Sequence, residues 1–360
     1  MTDEPAPIDV LLRLSAVEGI TARHLHLLRS AGMAPAFPGM EEDYGDGILP
    51  KAVRALSSAD AGEKAGRIRD ACAKSGVRII PLGSDEYPPM LRCISDAPLV
   101  LYLAGGDPAW ENSVAVVGSR AATAPAREFA GLLAADLASA GWTVVSGMAR
   151  GIDAAAHEGA LRSGGTTLAV LGCGIDVVYP PEAHDLHGRI LRCGCLLSEY
   201  PPGAIPLPWR FPARNRIISG VCRGVVVVEA AARSGALITA RHALDQGREV
   251  MAVPGNPLFP HTAGSNRLIR EGATPVTGAE DVMAAIGGAR PSPPVGARER
   301  KILECLAKPR RVDEIAVALD ITVLELLPCL LEMELGKLLE RSAGDYYKKL
   351  SGTPGGISRK

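Results

Sequence analysis

The chain has 360 residues, 47% of them hydrophobic, and a formal net charge of −1, which is enough apolar material for one large globular unit with smaller appendages. No apolar run reaches the length needed to span a bilayer, and the start, MTDEPAPIDV, places no basic segment ahead of an apolar one, so a cytoplasmic protein without a membrane span is expected. Eight cysteines without a repeated spacing predict reduced thiols and no metal site, and the absence of lysine from 75 to 300 excludes a Walker A loop, a Schiff-base lysine and a kinase-type ATP lysine there.

Residues 1 to 75 read as a helical, Ala- and Leu-rich module. Within it, LSAVEGITARHLHLLRSAG resembles half of a helix-hairpin-helix with its turn at Gly19, although a plain helical bundle accounts for the same pattern. The main domain is expected over 76 to 286. It begins with strand-like runs broken at Gly83, Pro88-Pro89 and Gly105-Gly106, and from 113 to about 278 it repeats strand, turn, helix. SVAVVGSR, WTVVSG, TTLAVLGCG, CLLSEY, GVVVVEA and REVMAVPG are continuous apolar runs, as buried parallel strands are. The predicted fold class is therefore α/β, a doubly wound Rossmann-like sheet of about six parallel strands. A Pro/Gly linker, GGARPSPPVGAR, covers 287 to 298, and two helices, a turn and a wing strand at GDYYKK predict a winged-helix domain over 299 to 350.

Polar residues collect where these strands end, at the edge where such sheets bind ligands. Gly118, Ser119 and Arg120 follow the first of the six strands; Ser146, Gly147, Arg150 and Gly151 follow the second; Ser234, Gly235 and Thr239 follow the fifth. Gly admits close backbone approach, Ser offers a hydroxyl, and helix N-termini present free N–H groups, which together suit a phosphate. FPARNRIISG (211 to 220) adds Phe211, Arg214, Asn215 and Arg216 just ahead of a buried strand. Guanidiniums beside an aromatic can grip phosphates and stack a base. The competing account is internal, with Arg216 paired to Glu199 or Glu229 and Phe211 in the core.

No G-x-G-x-x-G follows the first strand and no G-x-S-x-G is present, so neither a dinucleotide cofactor nor a hydrolase elbow is expected. Asp153 and His157 lie four apart on one helix face, but a turn-capping Asp and a core His are favoured over acid/base chemistry. Glu229, at a strand end, is expected to hold an Arg or a loop amide.

Taken in order, GSR, SG-x-A-x-GID-x-A-A-x-H, VLG-x-G-x-D-x-x-YP, SEYPPG, FP-x-RNRIISG, VVVVEA, SG-x-LITA, AVPG and NRLI-x-x-GA resemble the bacterial DNA-processing family DprA (Smf) from about 76 to 278. The two ends are similar to that family's SAM-like or helix-hairpin-helix module and its winged helix. The resemblance implies a binding protein without cofactor and not an enzyme. It would take single-stranded DNA on the Rossmann domain, with GSR as the phosphate-binding feature, form a homodimer near 255 to 276, displace or coexist with single-strand-binding protein, and load RecA during natural transformation. Cys222 stands where the family usually has Ser. The winged-helix segment VLELLPCLLEMELG carries Glu325, Glu332 and Glu334 with no basic residue before Lys337, which favours a protein contact or a structural role over duplex DNA. The alternative class is a LOG-type nucleotide phosphoribohydrolase on the same general fold, whose P-G-G-x-G-T-x-x-E motif is missing from VVVVEAAARSGALITA.

Overall fold

A computed structural model describes residues 8–17, 20–25, 52, 55–56, 58–287, 297–306, 308–319, 321–335, 338–342 and 346–349. The turn expected at Gly19, most of the 287–298 linker and Lys337 lie outside them. The chain divides into two compact units, Met1–Gly288 and Ala289–Lys360.

In the first unit the described strands are β1 (Arg78–Pro81), β2 (Val100–Gly105), β3 (Ser113–Val117), β4 (Thr143–Ser146), β5 (Thr167–Leu171), β6 (Cys195–Ser198), β7 (Gly224–Val227), β8 (Glu249–Ala252) and β9 (Thr274–Pro275). Their spatial order is β1-β2-β6-β5-β4-β3-β7-β8-β9. Strands β3 to β9 run parallel, and the β1–β2 hairpin closes one edge antiparallel to β6. The six predicted strands are β3 to β8. The short β9 and the antiparallel pair extend that sheet at its two ends.

All five residues of β3 are buried, because helices cover both faces. Val114 and Val116 face the helices α3 (Ala124–Ser139) and α4 (Ile152–Arg162), while Ala115 and Val117 face α6 (Arg210–Gly220) and α7 (Ala236–Asp245), which gives two separate cores. A third core joins the N-terminal helices α1 (Ile8–Ser15) and α2 (Ala59–Ser75) to the sheet, through Leu11, Leu12 and Leu14 with Ile68, Tyr102 and Ile190 of α5 (His184–Cys193). The N-terminal segment thus shares its apolar face with the main domain. Two further helices, α8 (Ala263–Arg270) and α9 (Ala279–Ala285), finish the unit.

The second unit has helices α10 (Ala297–Cys305), α11 (Val312–Leu319) and α12 (Val323–Leu335) with the antiparallel strands β10 (Arg310–Arg311), β12 (Tyr346–Lys349) and β11 (Leu339–Ser342). Helix α12 opens on a capping box, in which the Glu325 N–H donates to Thr322 Oγ1 (3.3 Å) and the Thr322 N–H donates to Glu325 Oε2 (3.0 Å). Glu325 is therefore committed to starting the helix as well as charging its surface. The same helix leaves Leu324, Leu327 and Leu331 exposed.

Helices α3 and α4 meet at Gly131 and Gly159, where a Cβ on Gly159 would stand 2.1 Å from the Gly131 carbonyl oxygen. That approach brings the start of α4 close under the loop after β3. Gly159→Ala is expected to destabilise the protein by about 1–3 kcal/mol in urea unfolding, since the helices must separate. Gly66→Ala, on α2 with nothing within 4 Å, is the control and should be neutral or slightly stabilising.

Candidate nucleic-acid interface

The chain leaves β3 for β4 on one side, whereas β7 lies on the other, so the loops after β3 and β7 diverge and leave a crevice at the carboxyl edge. A cleft of about 470 Å³ opens there, lined by Gly118, Ser119 and Arg120 from the first loop, Phe211 and Asn215 from α6, Arg233 to Gly235 from the second loop and Thr239 from α7. Its backbone frame is tight. The Ser119 N–H donates to the Glu229 carbonyl (2.7 Å), and the Ile152 N–H donates to the Ser119 carbonyl (3.3 Å). Gly151 has φ +78°, and a Cβ there would lie 2.2 Å from Ser119 O, so neither the turn nor the contact admits another residue. Ser234 Oγ accepts from the Ala236 N–H (3.3 Å) at the entry to α7.

Beneath the cleft lies a buried charge. Arg214 is only 3% exposed, and its Nη1 donates to the carbonyls of Gly147 (2.9 Å) and Val170. The Asp153 carboxylate beside it accepts the N–H groups of Gly147 (3.2 Å) and Ala149 (3.4 Å). A Cβ on Gly147 would fall 2.6 Å from Arg214 Nη2 and 2.8 Å from Asp153 Oδ2, so any larger residue there would push these two side chains out of their present arrangement beneath the loop. Burial raises the Asp153 carboxyl against the opposing pull of Arg214, and burial lowers the Arg214 guanidinium to about 10, still cationic at neutral pH.

His157 completes this floor as a neutral imidazole. Its Nε2 accepts the Met148 N–H (3.3 Å), a residue held at φ +53°, and its Nδ1 meets Thr167 Oγ1 (2.7 Å). Because that hydroxyl donates onward to the Val144 carbonyl (2.7 Å), the imidazole proton must sit on Nδ1. Burial, then the charge of Arg214, lowers the His157 pKa to about 3. Asp153 and His157 thus orient the turn after β4, in line with the structural account of them. Glu229 is likewise spent: its carboxylate takes the Thr123 N–H (3.0 Å) and hydroxyl (2.7 Å), anchoring the start of α3.

The structure brings Gly118, Ser119, Arg120, Phe211, Asn215, Ser234, Gly235 and Thr239 to one cleft. Most other expected site residues depart from it. Ser146 is buried and donates to the Val116 carbonyl (2.7 Å), serving the sheet. Arg150 is exposed but paired with Glu182, and Gly147 and Gly151 shape the loop. Arg214 also lines the cleft, but as an almost fully buried side chain that braces its floor. Arg216 points away from this cleft, bonded to Glu199 (2.6 Å) and Asp96 (3.2 Å), because two steps along a helix turn a side chain to another face.

Two residues escaped the sequence reading. Tyr179 lies with its ring centroid 5.0 Å from that of Phe211, and Arg120 lies 5.8 Å from the same ring. Arg233 lines the cleft and, like Arg120, is exposed without an acidic partner among the described residues. The signals for them were the Tyr-Pro after GID and an arginine beside a strand-end SG.

Arg214→Ala should cost about 3–5 kcal/mol in unfolding free energy, because the buried Asp153 loses its counter-charge. For His157, the folded protein binds fewer protons than the unfolded chain between the ordinary value of 6.5 and about 3. Its stabilising contribution is therefore whole above pH 6.5 and declines as pH falls toward 3. Urea unfolding of His157→Gln across that window should show a slope shallower by up to about 1.4 kcal/mol per pH unit.

The family model for DNA recombination-mediator protein A matches residues 78–287, and that for the DprA winged helix domain matches 288–345. The DNA processing protein DprA of Streptococcus pneumoniae is 47% identical over 201 residues, covering 56% of this chain and 71% of that protein. The X-ray structure of S. pneumoniae DprA superposes with a TM-score of 0.64 at 35% identity, over 78% of this chain and 98% of that one. DNA processing protein A of Helicobacter pylori, whose structure was described for its single-stranded DNA binding mode, gives a TM-score of 0.52 at 28% identity, over 57% and 94%. The chain belongs to the DNA recombination-mediator protein A family, the DprA/Smf proteins.

Proposed function

We propose that this protein binds single-stranded DNA in the cleft between the loops after β3 and β7, protects incoming DNA, and loads RecA onto it during DNA uptake and recombination. The carrying observation is the pair of exposed, acid-free arginines, Arg120 and Arg233, set in one cleft with the half-buried ring of Phe211. Arginines fork onto phosphate oxygens and aromatic faces accept unstacked bases of any sequence. The backbone turns at Gly118-Ser119 and Ser234-Gly235 give phosphates a close approach. The relatives support this reading, being DNA processing proteins, and the H. pylori protein binds single-stranded DNA.

The protein acts by binding, and its carboxylates at the cleft, Asp153 and Glu229, are spent on structure. It works as a homodimer joined near 255–276, where Leu258 is 83% exposed and Phe259 is half exposed. The dimer handles DNA coated with single-strand-binding protein, and the leucine-bearing face of α12 contacts protein.

Arg120→Ala should weaken single-stranded DNA binding for any sequence and lower the salt slope by about one, with an unchanged melting temperature. Phe211→Ala should cost about 1–3 kcal/mol of binding with the slope nearly intact, because stacking releases no counterions. Gel shifts at two salt concentrations measure both. An Arg120→Ala, Arg233→Ala double variant that folds and binds like the wild type would place the DNA elsewhere.

Assembly and handoff have their own readouts. Sedimentation at micromolar concentration should show a dimer, shifted to monomer by Leu258→Glu. RecA filaments should grow faster on DNA coated with single-strand-binding protein when this protein is added. Release of adenine from adenosine monophosphate would instead favour the phosphoribohydrolase class.

A further inference from the structure

Helix α6 is a partition with a cavity on each side. Phe211, Arg214 and Asn215 face the cleft already described, whereas Arg210, Ala213 and Arg216 face a second cavity of about 550 Å³, between the N-terminal helices and the loop after β6. Trp209 and Phe211 stand two residues apart at the start of the helix, one lining each cavity.

Three observations mark the second cavity. Trp209, with its large apolar face, is 45% exposed. The Arg210 guanidinium lies 5.1 Å from the Trp209 ring centre and 4.4 Å from that of Tyr200, so the aromatic rings are held in place by cation–π contacts. At the cavity wall Arg216 is 7% exposed; Glu199 and Asp96 take its Nη2 and Nε, while Nη1 is buried with no hydrogen-bond partner in the protein. A buried donor left unmade is costly, and the residue that carries it lines the cavity.

The charges say what kind of group would meet it. Two carboxylates already surround the Arg216 guanidinium, so a phosphate gains little there, and a neutral acceptor such as a base carbonyl is the better match. Lys64, at the rim of the same cavity, is exposed without an acidic partner among the described residues. It is suited to a phosphate instead.

We infer that this cavity is a further nucleotide subsite, in which a base next to the one at Phe211 stacks on Trp209, turns a carbonyl edge toward Arg216 Nη1, and leaves its phosphate near Lys64. The inference rests on the single-stranded DNA reading and extends its path from the sheet edge to the N-terminal helices. It also gives that helical segment a part in binding that does not require a hairpin at Gly19. Thymine is a suitable probe because its edges carry two carbonyl acceptors.

Titration of the full chain with oligo(dT) tests the subsite through tryptophan emission. Of the three tryptophans, Trp142 is 3% exposed and Trp110 is partly buried against the core, which leaves Trp209 as the ring able to meet a base. A dodecamer should quench the wild-type emission, and Trp209→Phe should abolish the quench while keeping affinity within about twofold, because a stacking face remains. Trp209→Ala should weaken dodecamer binding roughly tenfold without a change in melting temperature. It should leave a mononucleotide, which carries no second base to reach Trp209, unaffected. Lys64→Ala should lower the salt slope of dodecamer binding by about one.

Wild-type affinity of Trp209→Ala for the dodecamer, with no quench in the wild type, would overturn the subsite. If Phe211→Ala still weakens binding in that case, the DNA reading stands and the Trp209 face is left to a protein partner. Failure of the wild type to bind oligo(dT) at all would overturn both.

Discussion

The buried guanidinium of Arg214 is the interaction on which the candidate interface depends. It ties the loop after β4 and the end of β5 to helix α6, the element that carries Phe211 and Asn215 into the cleft. A charge taken out of water persists only with a counter-charge and filled hydrogen bonds. Asp153 and the two carbonyls supply these, and the glycine at 147 makes room for them. Burial, with the same charge second, keeps His157 neutral, and the Thr167 hydroxyl fixes the tautomer that holds the turn at Met148. With Arg214 offset by Asp153 beneath the floor, the exposed arginines at the rim make the mouth of the cleft positive, although the whole chain is nearly neutral.

Helix α6 distributes that chemistry by its period. Residues three and four apart share a face, so Phe211, Arg214, Asn215 and Ile218 look toward the sheet edge and Arg210, Ala213 and Arg216 look toward the N-terminal helices. Arg214 and Arg216 differ by two positions and occupy different environments. One is held mainly by backbone carbonyls with a single carboxylate nearby, the other by two carboxylates. A single helix thereby serves as the common wall of two cavities.

The close pairing of α3 and α4 matters for a related reason. Gly131 and Gly159 let the two helices touch, and Gly118 and Gly151 let the loops above them touch. The loop carrying Arg120 is therefore fixed on the α4 side by the Ile152 amide and on the β7 side by the Glu229 carbonyl. Glu229 reinforces this by capping Thr123 at the start of α3. A carboxylate at a ligand edge can serve catalysis, but with both oxygens engaged it serves the frame.

Much of this architecture could be read from the order of the residues. The strands β3 to β8 are mainly apolar runs without alternation, and only a sheet covered on both faces buries such runs, so the parallel core and its ligand edge followed from the sequence. The family motifs in their order identified the same region. Strand β9 escaped because two residues, one of them proline, carry no periodicity, and it exists by pairing with β8. Which cation faces solvent was also decided only on folding. The partners of Arg216 lie at 96 and 199, and those of Arg214 at 147, 153 and 170, positions that local pattern does not connect and that the sheet brings together. Residue type and spacing determined that arginines would gather at the strand ends, while burial and long-range pairing decided which of them were left free to meet a ligand.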